Sequence, residues 1–130
     1  MKPRVLIIDD DEAITQQLFW TLSADYDVIT ANDFQTAVRR VTIYAPDVSI
    51  LDLRLPPTDN STSVGLRILE YIKAHVPQSK VVVMTAAGGT DTQKACRAGG
   101  ADEFLNKPFD ISELLSTMRR LTGLRQHDIA

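Results

Sequence analysis

Four acids stand in a row, Asp9-Asp10-Asp11-Glu12, directly behind the apolar run Val5 to Ile8. Another acid, Asp52, follows the segment DVSIL, and Thr85 and Lys107 come after two further apolar stretches. Carboxylates brought close repel one another and are tolerated with a cation between them. All-oxygen donors select a hard ion, and an open, partly hydrated arrangement suits Mg²⁺. A carboxylate beside Mg²⁺ and a lysine is equipped to attack a phosphoryl group. Phosphoryl transfer needs mainly positioning and charge neutralisation, which a metal and an ammonium supply. All of this requires residues far apart in the chain to meet at one place.

The hydrophobic pattern provides the elements that bring them together. Apolar or β-branched runs at 4–9 (RVLIID), 26–30 (YDVIT), 47–51 (DVSIL), 80–84 (KVVVM) and 103–105 read as strands. Between them lie helical patterns. Residues 12–24 carry Ile14, Leu18 and Leu22 on one stripe. The next helix is capped by Asp33, carries Ala37, Val38 and Val41, and ends at Ala45-Pro46. Residues 64–76 place Leu66, Leu69, Ile72 and Val76 at helical spacing before Pro77. A weak helix at 90–98 is bracketed by glycine pairs, and the last begins at Asp110, with Glu113 three residues on as in a capping box. Strict alternation implies an α/β fold, a five-stranded parallel sheet with helices on both faces. In such sheets the functional crevice lies outside the carboxyl ends of the strands, where Asp9, Asp10, Asp52, Thr85 and Lys107 all fall.

Composition narrows the class further. A chain of 130 residues suits one domain, with residues 1–124 as the folded unit and 125–130 as a tail or the start of a linker. With 44% hydrophobic and 24% charged residues it is neither disordered nor fibrous. Its apolar runs are too short to cross a bilayer, and its N-terminus has no signal-peptide pattern. The single cysteine, Cys96, excludes an internal disulfide and fits a cytoplasmic location. A net charge of −3 gives no support for direct nucleic-acid binding.

The set Asp9-Asp10, Asp52 in LDLRLP, Thr85-Ala86 in VVVMTA and Lys107-Pro108-Phe109, in this order and on these strand ends, resembles the receiver domain of bacterial two-component response regulators. The resemblance runs from Val5 to about Leu121. It implies the flavodoxin-like strand order 2-1-3-4-5 and a signalling switch rather than an enzyme. Asp52 is then the phosphoacceptor. Mg²⁺ is held by Asp10, Asp52 and the backbone carbonyl of Arg54, with Asp9 acting through water. Thr85 bonds the phosphoryl oxygen, Lys107 pairs with it, and Phe104 occupies the place of an aromatic that rotates toward Thr85. A histidine kinase or phosphotransfer protein is the implied donor, a homodimer is possible, and a cis bond often precedes the proline after the lysine.

The plainer readings differ residue by residue. Asp11 and Glu12 suit a first-turn role on the first helix. Phe104 is read equally well as a static core aromatic. Cys96 reads as a buried apolar group, and His75 and His127 as surface residues without ligand spacing. Asp9-x-Asp11 at a strand end also suggests a haloacid-dehalogenase-like phosphohydrolase, though that family's other acids are not in place. A receiver-like module that binds partners without phosphorylation is the remaining alternative.

Two departures from the family stand out. Its usual glycine about eight residues after the phosphoacceptor is matched here by Gly65, thirteen after Asp52, so the loop PPTDNSTSVG is longer. Arg54 and Ala87 occupy the positions that tune hydrolysis. Neither holds an in-line water, so the phosphorylated form is expected to be long-lived. Finally, Trp20 points away from the Ile14, Leu18 and Leu22 stripe. It either folds over the last helix at Leu121 or Leu124, or forms an exposed contact patch.

Overall fold

In the computed structural model, which describes residues 2–55, 63–85 and 90–123, strands and helices alternate from end to end. The strands are β1 (Arg4–Ile8), β2 (Asp27–Ala31), β3 (Val48–Asp52), β4 (Lys80–Thr85) and β5 (Glu103–Asn106). The helices are α1 (Glu12–Leu22), α2 (Phe34–Tyr44), α3 (Ser63–His75), α4 (Thr90–Ala98) and α5 (Ile111–Thr122). The sheet is wholly parallel, in the order β2-β1-β3-β4-β5. Most of the lengthened loop, residues 56–62, lies outside the described residues, as do Ala86, Ala87, Leu124 and His127.

Two apolar layers sandwich the sheet. Leu6, Ile8, Leu51, Val81 and Val83 face α2, α3 and α4, where Ala37, Val41, Ile68, Leu69, Ile72 and Cys96 close over them. Val5, Ile7, Val48, Ile50, Val82 and Met84 face α1 and α5, where Leu18, Leu22, Leu114 and Met118 pack. Each fully buried aliphatic side chain contributes roughly 1.5–3 kcal/mol. The period-2 alternation within each run therefore sends neighbours to opposite layers, which explains runs apolar at every position.

Local chemistry places the helix ends. The Asp33 carboxylate accepts from the Thr36 N–H, and that of Asp110 from Ser112 and Glu113 N–H groups. Helix α1 stops at Leu22, two residues before the expected end, and the Asp25 and Tyr26 N–H groups both bond the Leu22 carbonyl in the turn that follows. Strand β3 starts at Val48 rather than Asp47, although Asp47 already donates its N–H to the Arg4 carbonyl, accepts from the Lys80 N–H through its own carbonyl, and accepts from the Arg4 N–H through its carboxylate at 2.8 Å. In α3 the expected Leu69, Ile72 and Val76 are buried; Leu66 is only half-buried at the edge of the same cluster, and Ile68 is sealed as well.

One cap is strained. Ala45 follows α2 in the left-handed conformation, at φ 42°, with its N–H on the Val41 carbonyl. An L-residue pays roughly 1 kcal/mol there, which glycine avoids. Ala45→Gly is expected to stabilise the chain by about 0.5–1 kcal/mol, read as a higher urea midpoint with unchanged slope.

Candidate functional site

Strand register decides which residues meet. Ile8 lies beside Leu51 in the parallel pair β1–β3, so Asp9 and Asp10 leave the sheet next to Asp52. Asp52 is level with Met84, and Thr85 with Asn106, so Thr85 and Lys107 emerge on the same edge. Carboxylate oxygens of Asp9, Asp10 and Asp52 lie within 4.8 Å of one another. Asp9 and Asp52 are buried, at 1% and 7% exposure, whereas Asp10 faces solvent.

Lys107 is the internal counter-ion. Its Nζ donates to Asp9 Oδ2 at 2.9 Å and to Asp52 Oδ2 at 3.2 Å. The other oxygens are held by the backbone: Asp9 Oδ1 accepts from the Asp11 N–H, and Asp52 Oδ1 from the Arg54 N–H. Asp9 thus fixes the turn into α1, and Asp52 fixes the turn after β3. Lys107 is fixed in turn by its N–H on the Thr85 carbonyl at 3.1 Å, and the Lys107–Pro108 bond is cis.

Three carboxylates against one ammonium leave the cluster short of positive charge. Burial raises the Asp52 carboxyl above its ordinary value, and the Asp9 charge raises it further. The Arg54 N–H and Lys107 act the other way without cancelling that rise. Desolvation opposes the Lys107 charge, but its hydrogen bond to Asp9 and the two carboxylates outweigh this and hold the ammonium above its ordinary value. An all-oxygen donor set, one side open through Asp10 and a deficit of positive charge fit Mg²⁺.

This electrostatic deficit has a testable sign. The folded state holds the Asp52 proton more tightly than the unfolded chain does. Stability therefore falls as pH rises from the ordinary carboxylate range through the raised folded value. Above that window, without divalent metal, Asp52→Asn is expected to melt higher than wild type, and the gap should close as pH falls below it. Mg²⁺ should raise the wild-type melting temperature and leave that of Asp52→Asn nearly unmoved. Thermal melts in chelator and in Mg²⁺ across pH check both statements.

The remaining expected residues are placed as follows. Thr85 is buried at the end of β4. The Arg54 side chain is exposed. Phe104 is half-buried on β5, packed against the α3 and α4 layer, with the Arg97 guanidinium 4.7 Å over its ring. Asp11 Oδ1 accepts from the Ala13 and Ile14 N–H groups as the α1 cap, the first-turn role expected of it. Cys96 is buried and His75 exposed. Trp20 does not fold over α5; it is 76% exposed, its ring edge-on to Phe19.

Two supports of this edge go beyond the sequence expectations: Asp102, which they do not single out, and the contact made by Gly65, matched there only as the family's usual glycine. Asp102 Oδ2 accepts from the Val81 N–H at 2.8 Å and from Lys73 Nζ at 3.0 Å, clamping the start of β5 to β4 and α3. Gly65 packs directly on the backbone of Leu53, the residue after Asp52, and donates its N–H to the Leu53 carbonyl. The composition LRIL around Gly65 carries no sign of that contact; only the pairing of α3 with the β3 turn reveals it.

Known proteins resemble this chain in sequence and fold. The sequence profile described as the response regulator receiver domain matches residues 5–119. Response regulator MprA of Mycobacterium tuberculosis (strain ATCC 25618 / H37Rv) is 33% identical over 122 residues, which cover 93% of this chain and 51% of MprA. Transcriptional regulatory protein TrcR of the same strain is 31% identical over 125 residues, 95% of this chain and 47% of TrcR. The chain therefore spans about half the length of the curated relatives it matches. The structure of Vibrio cholerae chemotaxis protein CheY4 superposes with a TM-score of 0.83 at 27% identity, covering 93% of this chain and 99% of that one. Motif order, strand order and the acidic edge agree with these matches, and the chain belongs to the receiver domain family of two-component response regulators.

Proposed function

We propose that Asp52 is the phosphoacceptor of a switch loaded by a histidine kinase or phosphotransfer protein. The observation that carries the reading is the shared contact of Lys107 with Asp9 and Asp52 at the mouth of an acidic cluster. An Asp52 carboxylate oxygen attacks phosphorus as the bond to the donor nitrogen breaks, and the phosphoryl group moves from imidazole to carboxylate. Lys107 is placed to follow the charge onto the new phosphoryl oxygens, releasing Asp52. Thr85, at the end of the neighbouring strand, offers a hydroxyl to another of those oxygens. Asp10, Asp52 and the Arg54 carbonyl would hold Mg²⁺, with Asp9 acting through water. When bound, the ion supplies neutralisation of phosphoryl oxygen charge.

Movement of Thr85 toward the phosphoryl group would free space for Phe104 and remodel β5 and α4. Helix α4 is the natural element to yield, since among its described side chains only Cys96 is buried. The domain would act on no external substrate, work in the cytoplasm and contact neither membrane nor nucleic acid itself. The test is acetyl phosphate with Mg²⁺: one phosphoryl group per chain, mapped to the peptide containing Asp52 and lost when Mg²⁺ is chelated. Turnover of p-nitrophenyl phosphate, or label on another residue, would overturn the reading.

A further inference from the structure

A groove of about 660 Å³ runs between α1 and α2 over β2, away from α5. One wall carries Gln16, Phe19 and Trp20 of α1; the other carries Thr36 and Arg40 of α2. Phe19 also lines a second hollow of about 460 Å³ that continues toward Lys2 and Arg4 at the opposite end of the strands. Three features of this groove are not explained by the folding of a single chain. Trp20 exposes most of an aromatic surface on its rim, where solvated charge is normal. Arg40 Nε is buried and has no acceptor among the described residues. The two ends differ in sign. Asp10 and the exposed Glu12 stand at one end. At the other, Lys2 Nζ lies on the Ser23 carbonyl at 3.2 Å, beside an Arg4 already paired with Asp27.

We propose that this groove is a self-association surface, in which Trp20 of one chain fills the groove of a second copy about a two-fold axis. An isologous contact needs a patch that complements itself. A two-fold crossing α1 midway between Glu12 and Ser23 sets the Lys2 ammonium of each chain, held at Ser23, opposite Glu12 of the other. The same axis carries position 20 to the level of position 15, between Thr15, Gln16 and Thr36, which line the groove. There the indole meets the Arg40 guanidinium across the groove, a cation–π contact that a buried aromatic makes well. Acid faces base at both ends, and a central tryptophan supplies the apolar anchor typical of interface hot spots.

Sedimentation and Trp20 fluorescence of the 130-residue chain, from micromolar to millimolar concentration, test the surface. The expected result is a reversible dimer whose formation shifts a red, quenchable emission to the blue. Trp20→Ala should weaken dimerisation about 10-fold or more and leave the melting temperature unchanged at dilutions where both chains are monomeric, since its ring touches only Phe19 among the described aromatics. Glu12→Lys and Lys2→Glu should each weaken it, and the double reversal should restore it. A chain that stays monomeric throughout, or a dimer indifferent to Trp20→Ala, overturns the proposal; a monomer would leave the rim to a different protein.

Discussion

Asp52→Asn, incubated with acetyl phosphate and Mg²⁺, is expected to stay at its unmodified mass while the wild-type chain gains one phosphoryl group. The amide has no anionic oxygen to attack phosphorus. No neighbouring acid substitutes for it, because each is committed or misplaced. Asp9 is buried with both oxygens bonded, to Lys107 and to the Asp11 N–H. Asp11 is occupied at the α1 cap. Asp10 is exposed and, in the proposed site, would hold the metal. Lys107→Ala should be nearly as severe by a different route. It keeps the nucleophile and removes the donor that follows the transferred charge, a loss of the kind that costs about 10²–10³-fold in rate. Intact-mass time courses separate the two, as Asp52→Asn gives none of the product and Lys107→Ala gives it slowly. Phosphorylated Asp52→Asn would refute the assignment.

The second large effect is expected at Gly65, a position with no chemistry of its own. A Cβ there would overlap the Leu53 Cα and lie 2.5 Å from the Leu53 carbonyl oxygen. The obstacle is main chain, so no rotamer change relieves it. Either α3 moves off the β3 turn, uncovering the buried Val64 and Ile68, or the Leu53 backbone moves and takes Asp52 with it. Gly65→Ala should therefore destabilise the fold by on the order of 3 kcal/mol, as a backbone clash in a filled core does. In the fraction still folded, phosphorylation should also be slowed, because Asp52 and the Arg54 N–H that holds it sit on the displaced turn. Urea melts give the first number and phosphorylation in the cold gives the second. Wild-type stability with wild-type phosphorylation in Gly65→Ala would mean that α3 can slide at no cost.

The sequence by itself determined the alternation of elements and the edge on which chemistry gathers. Burial on both faces demands unbroken apolar runs, visible at Val5–Ile8 and Val81–Met84, and the acid or hydroxyl after each run marks its carboxyl end. The caps Asp33 and Asp110 were equally legible, because a cap bonds within three residues of itself. Other decisions belong to the tertiary structure alone. Asp9 and Asp10 are identical neighbours in the chain, yet one is sealed against Lys107 and the other faces water. Lys107 meets Asp9 across 98 positions and Asp52 across 55, and no local pattern encodes such a meeting. The same holds for the Lys73–Asp102 clamp, the contact of Gly65 with Leu53, and the burial of Ile68 rather than Leu66. Trp20 shows the division most clearly. Helical periodicity placed it opposite the buried stripe, but whether a neighbour covers it depends on where α5 and α2 lie around α1. Periodicity records which way a side chain leaves its own helix; what it then meets is fixed by the crossovers that set the neighbouring elements beside it.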